Sequence, residues 1–150
     1  MAKDALDALH TYLVAVDGTE AGYRALAVAA DLAKKHRSHL HLVHVIEVPR
    51  ALALDADLSA AVREGERILQ RAEQISAEYG VNVQGDLVQA RQAGHAVVDE
   101  AVERGADVIV LGVEYKRPLG KFELGRVPQY VLEHAPVLVW LVRYPSPEVR

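Results

Sequence analysis

The chain has 150 residues, 51% of them apolar, with a charged fraction of 25% and a formal net charge of −4. That is enough for one domain with a full core, and the mildly acidic balance argues against bulk nucleic-acid binding, which shows a basic excess. The lack of cysteine excludes disulfides, thiolate catalysis and cysteine-based metal sites, and no apolar run approaches the ~20 residues of a membrane span.

Met1 to His10 is polar and lacks the apolar stretch of a signal peptide, so a cytoplasmic location is expected. Tyr12 to Val16 reads as a first strand. Asp17-Gly18-Thr19 breaks it, and Thr19 is placed to cap the helix that follows. Gly22, Leu26, Ala29, Ala30 and Ala33 recur at helical spacing up to His36 and form a face of mostly small residues. Leu40 to Val48 is a second strand, closed by Pro49. After a loop from Arg50 to Ala56, the stripe Leu58, Val62, Gly65, Leu69, Ala72, Ile75 and Tyr79 predicts a long helix that stops at Gly80. Val81 to Val88 is a weaker, alternating third strand. Gln92 to Arg104 is a third helix ending at Gly105.

Asp107 to Gly112 is the fourth strand and leads into a basic, glycine-containing loop, Val113 to Gly125. A short helix, Pro128 to His134, and a last apolar strand, Val137 to Val142, complete the chain. Strands 1, 4 and 5 are apolar on both faces, as strands buried by helices on both sides of a parallel sheet are. With right-handed crossovers, the expected architecture is a single doubly wound five-stranded α/β domain. It spans residues 1–150, with a polar extension over 1–10 and a tail over 144–150. No linker, low-complexity stretch or internal repeat divides it.

Four segments in order carry a family resemblance: Leu13 to Glu20, Leu42 to Ile46, Gly94 to Gly112 and Val131 to Val139. Over nearly its whole length the chain resembles the universal stress protein family. The resemblance implies sheet order 3-2-1-4-5, an adenine-nucleotide alpha-hydrolase-like fold, and a homodimer made through the fifth strand. In the nucleotide-binding branch it also implies an ATP or AMP site at the switch point between strands 1 and 4. Asp17 then matches the acidic residue beside adenine and ribose, and Val45 the residue whose backbone contacts adenine. Each also has a plain reading: Asp17 as a turn residue, Val45 as core.

The nucleotide-binding branch carries a glycine motif: Gly, two residues, Gly, nine residues, Gly, then Ser or Thr. Here Gly112 and Gly125 hold the first and third glycine positions. Tyr115 stands at the second, and Arg126 replaces the hydroxyl residue. A Cβ blocks close backbone approach. Arg126, with Lys116, Arg117 and Lys121, suggests a substitute anion site; the bland alternative is a solvated loop. The run Gly120-Lys121-Phe122 lacks the hydroxyl a Walker loop requires. His39 and His41 share a strand face, but a metal site needs at least three protein ligands, so none is expected. No G-x-S-x-G element is present, and no catalytic residue is assigned.

The expected function is a small dimeric regulatory module binding an adenine nucleotide or related phosphate compound and read by a protein partner. One alternative is a dimeric interaction module that binds no nucleotide, such as a regulator of a transporter, in which Tyr115 fills the phosphate site. Weak ATP hydrolysis is a third. An apolar last strand at the sheet edge invites pairing, and Val137, Val139 and Leu141 are the expected dimer contacts.

Overall fold

A computed structural model describes residues 4–53, 56–117 and 119–145. A short 3-10 turn, Ala5–Ala8, precedes β1 (Thr11–Ala15), α1 (Glu20–His36), β2 (His39–Glu47), α2 (Ser59–Glu78), β3 (Asp86–Ala90), α3 (Ala93–Glu103), β4 (Val108–Glu114), α4 (Arg126–His134) and β5 (Leu138–Tyr144). The five strands are all parallel, in the order β3-β2-β1-β4-β5. The expected sheet order holds. The first three and last five residues of the chain, including most of the expected tail, lie outside the described residues, as do 54, 55 and 118.

Side-chain alternation along the strands divides the core in two. Tyr12, Val14, Leu40, Leu42, Val108 and Val110 pack against α1 and α2. Leu13, Val43, Ile109 and Leu111 pack on the other face, with Val97, Ala101 and Val131 of α3 and α4. The small residues of α1 are buried: Gly22, Ala25, Ala29, Ala30 and Ala33 let this helix lie close over the sheet. Thr19 caps α1 as expected, its hydroxyl accepting from the Gly22 amide at 3.1 Å.

Several element boundaries differ from those expected, and three of the shifts have a plain physical reason. β3 begins at Asp86 rather than Val81. Residues 81–85 are tied to α2 instead: Val81 N–H donates to Ser76 O (3.0 Å) and Gly85 N–H to the Glu73 carboxylate (2.7 Å). β4 runs two residues past Gly112, because β5 continues to pair with it through Val113 with Arg143 and Glu114 with Tyr144. Tyr144 is therefore strand, not tail. α4 begins at Arg126, two residues before Pro128; proline is tolerated in a first turn, where its missing N–H has no helical partner to lose.

The N-terminal extension is anchored. The His36 ring lies 2.8 Å from the Asp7 carboxylate, and Leu9 packs against the α1–α2 side of the core. His39 and His41 both lie on β2. His41 Nδ1 faces the Arg104 guanidinium at 3.4 Å, and Arg104 is in turn held by Glu100 (2.9 Å) and Asp86. Burial pushes the His41 pKa down, and the neighbouring Arg104 and His39 charges push it the same way. Among the described residues no group of three or more His, Asp or Glu is placed to hold a metal ion.

Tyr12 is fully buried, with its ring 5.7 Å from Trp140. Its hydroxyl has no hydrogen-bond partner among the described residues. A buried unsatisfied hydroxyl costs about 1–3 kcal/mol. Tyr12→Phe is therefore expected to raise the free energy of unfolding in urea by about 1 kcal/mol. A loss of that size instead would show that the hydroxyl is bonded, for instance through a buried water.

Candidate ligand cleft at the carboxyl edge of the sheet

β1 lies between β2 and β4, and the connections from β1 and β4 leave to opposite faces of the sheet. In open α/β sheets such a switch point opens a crevice at the carboxyl ends of the strands. Here it is a cleft of about 460 Å³. Its floor is apolar, formed by Ala15, Val43, Val45, Val97, Leu111 and Val127. That suits a flat, weakly polar ring system.

The β2 side of the cleft offers backbone polar groups. Val16 N–H donates to Val43 O at 3.0 Å. By alternation along the strand, Val45 points its N–H and C=O toward the same edge. Pairing of β1 with β2 ends at Ala15 and Val43. The Val16 carbonyl, the next acceptor along, is taken by His44 Nδ1 at 2.7 Å. That contact requires the proton on Nδ1, and among the described residues the Val45 amide has no backbone partner beyond the end of β1. His44 thus supports the cleft wall.

Asp17 is exposed at the β1 terminus. Its Oδ1 accepts from the Thr19 amide (3.0 Å) and hydroxyl (2.6 Å). The turn role is real, then, and Oδ2 has no hydrogen-bond partner among the described residues. Gly112, at the cleft floor, is required by packing: an added Cβ would sit 2.1 Å from the Ala21 carbonyl oxygen of α1. Gly125, with φ of 92°, turns the chain into α4. The Arg126 and Val127 amides then lie at the helix N-terminus with no helical acceptor. Pro128 has no amide, and the Gln129 amide already donates to Gly125 O at 3.2 Å.

The basic loop divides into two sets. Lys116, Gly125 and Arg126 line the cleft together with Asp17, Val45 and Gly112. Tyr115 and Arg117, also expected near the ligand, are not among the residues that line the cleft. Tyr115 turns toward β5 and stacks on Phe122 with ring centroids 5.5 Å apart and an interplanar angle of 2°. The Arg143 guanidinium of β5 caps both rings, at 4.7 and 5.2 Å, and Arg117 lies 5.8 Å from the Tyr115 ring. Backbone bonds from Tyr115 N–H to Tyr144 O (2.8 Å) and from Glu123 N–H to Lys116 O (3.1 Å) fix this arrangement. The bulky residue at the second glycine position therefore leaves the cleft empty of its ring and clamps the loop to the edge strand. Lys121 is exposed and also outside the lining.

Three carboxylates bear on the cleft that the sequence reading did not single out. Glu114 and Glu123 line it. Glu47, at the end of β2, touches two lining residues: it accepts from the Ala93 amide at the α3 N-terminus (3.3 Å) and lies 3.5 Å from the Arg126 guanidinium. Strand alternation alone places Glu47 on the face shared by Val43 and Val45, so this residue was legible.

The topology and the switch-point cleft define a doubly wound α/β domain of the adenine-nucleotide alpha-hydrolase-like kind. Residues 9–143 match the sequence profile of the universal stress protein family, and the chain belongs to that family. It is 35% identical over 138 residues to a universal stress protein of Thermus aquaticus encoded in the QAH/OAS sulfhydrylase 3′ region, covering 89% of this chain and 98% of that one. It is 31% identical over 144 residues to universal stress protein YxiE of Bacillus subtilis, covering 85% and 95%. Two solved structures share the fold. One is the universal stress protein of Archaeoglobus fulgidus in complex with dAMP (TM-score 0.70, 20% identity, 89% of this chain and 97% of that one). The other is a universal stress protein in complex with cAMP (TM-score 0.70, 21% identity, 90% and 97%).

Proposed function

We infer that this chain binds an adenine nucleotide in the cleft between the ends of β1, β2 and β4, and acts as a regulatory module rather than an enzyme. The observation that carries this reading is the pairing of an apolar floor with the Val45 amide, which has no backbone partner among the described residues. A purine needs a flat apolar slot and an edge donor or acceptor. The Arg126 and Val127 amides at the α4 terminus and the Lys116 ammonium lie at the far side of the same cleft, where a phosphate would be favoured by the helix terminus. The dAMP and cAMP held by family members of the same fold support the same ligand class.

Binding would shift the loop between β4 and α4 toward an ordered state. That loop is clamped to β5 by Tyr115, Phe122 and Arg143, so ligand occupancy is coupled to the edge strand. Calorimetric titration with AMP tests the reading. Wild type is expected to bind. Asp17→Ala is expected to weaken binding by about 1–3 kcal/mol, through loss of a carboxylate acceptor for the ribose, with a smaller effect on thermal stability. Unchanged affinity with a large fall in Tm would make Asp17 a turn residue only.

A second reading concerns assembly. β5 pairs with β4 alone, so its outer edge is open, and Leu138 is 48% exposed there. An open apolar edge is covered in a two-fold dimer by the same edge of a second copy. Val137, Val139 and Leu141 are half-buried against the α3–α4 core as well, so substitutions there disturb both dimer and fold; Leu138→Lys is the cleaner variant. Sedimentation at micromolar concentration is expected to show a dimer for wild type and a monomer for Leu138→Lys. A wild-type monomer would overturn this assembly.

A further inference from the structure

We propose that the cleft is charge-limited: it takes an adenine nucleoside carrying one phosphate, free or cyclised, and discriminates against di- and triphosphates through Glu47, Glu114 and Glu123. This selectivity rests on the nucleotide-binding reading above and specifies its ligand. The sequence suggests a basic cradle of four cations around the loop, which would favour the most charged ligand. The structure distributes those cations differently. Arg117 lies over the Tyr115 ring, and Lys121 does not reach the cleft.

Of the two cations that do reach it, Arg126 is already faced by Glu47 at 3.5 Å. Asp17, Glu114 and Glu123 line the same cleft. Lys116 is thus the one lining cation among the described residues without an ion-pair partner. The donors that remain for a phosphate are its ammonium and the two free amides of α4, with Pro128 withholding a third. This set matches a single phosphate group. Further phosphates would extend past the α4 terminus toward Glu123 and the Glu47–Arg126 pair, where like charges meet at a partly solvated mouth.

Glu47 sets the limit most directly, because its charge lies 3.5 Å from the Arg126 guanidinium and offsets the attraction that a phosphate would find there. Its other oxygen accepts from the Ala93 amide (3.3 Å), which holds the carboxylate in place beside Arg126. Glu47→Gln keeps an acceptor for that amide and removes the charge. The salt dependence separates this arrangement from a basic cradle. Screening weakens attraction in a cradle, so polyphosphate affinity falls as salt rises. In a charge-limited cleft screening weakens repulsion, so the gap between ATP and AMP narrows.

The test is calorimetric titration of adenosine, AMP, ADP and ATP, in EDTA so that no divalent ion masks the phosphates, at low and at physiological ionic strength. Wild type is expected to bind AMP about tenfold more tightly than ATP at low salt, given two further charges brought to a net acidic mouth. Glu47→Gln and, independently, the exposed-loop variant Glu123→Gln should each narrow that ratio by about threefold, chiefly by improving ATP. ATP binding as tightly as AMP or more so in wild type would overturn the charge limit while leaving nucleotide binding standing. A ratio unmoved by both variants would overturn the assignment to these carboxylates. Failure of all four ligands to bind would overturn the nucleotide reading, and the charge limit with it.

Discussion

Gly112→Ala is expected to destabilise the protein by about 3 kcal/mol, at the upper end of what overpacking costs. The added methyl carbon would stand 2.1 Å from the Ala21 carbonyl oxygen, 2.6 Å from its carbon and 2.9 Å from the Gly22 nitrogen. All three are backbone atoms of the first turn of α1, so no rotamer change relieves the collision. The helix must lift off the sheet or β4 must bend. Either movement opens the packing of Leu26 and Ala25 against Val108 and Val110, all of them fully or almost fully buried. The same displacement shifts Asp17 and Thr19 against the cleft floor. A fall in the urea midpoint, with loss of AMP binding in the folded fraction, is the expected result. A change below about 1 kcal/mol would mean that α1 sits farther from β4 than described.

The second large effect concerns the ligand. Ala15 ends β1 on the floor of the cleft and is only half-buried. Ala15→Trp places a bicyclic ring where the purine is proposed to lie. AMP affinity is expected to fall at least about 100-fold, since a close-packed site cannot hold both rings. Stability is expected to hold within about 1 kcal/mol, because the indole fills an existing space rather than displacing core atoms. Circular dichroism and the urea midpoint establish the fold, and calorimetry the affinity. Undiminished AMP binding by a folded Ala15→Trp protein would place the ligand elsewhere.

Much of this was legible in the sequence because the relevant signals are periodic. Continuous apolar runs in strands 1 and 4 announce a sheet covered on both faces. The Thr19 cap and the Gly80 and Gly105 stops are local, and each lies where the residues place it. The departures arise where tertiary contacts compete with local pattern. Val81 to Gly85 alternates like a strand, yet Glu73 and Ser76 of α2 capture its amides first. Pro128 looks like a first helical residue, yet the left-handed Gly125 starts the turn two residues sooner.

The site was legible in its spacing and not in its orientation. The interval from Gly112 to Gly125 places both at the cleft, as the glycine motif requires. Nothing in that interval says where the Tyr115 ring turns. Its direction is set by Arg143, nearly thirty positions away, and by Phe122, through ring stacking and cation–π contact. Arg126 likewise reads as a free cation until β2 brings Glu47 beside it. Charge counted along a loop overstates charge delivered to a cleft, since each cation finds the nearest ring or carboxylate that the fold supplies.

Purine binding in the cleft turns most directly on the Val45 amide. An AMP titration followed by amide ¹H–¹⁵N correlation spectra of the uniformly labelled protein reports on that group directly. Purine binding at that amide predicts saturable shifts at Val45, at Gly125, Arg126 and Val127, and at Asp17 and Thr19, all with one dissociation constant. A spectrum in which these amides stay fixed while AMP is demonstrably bound, or in which only β5 residues respond, would contradict it.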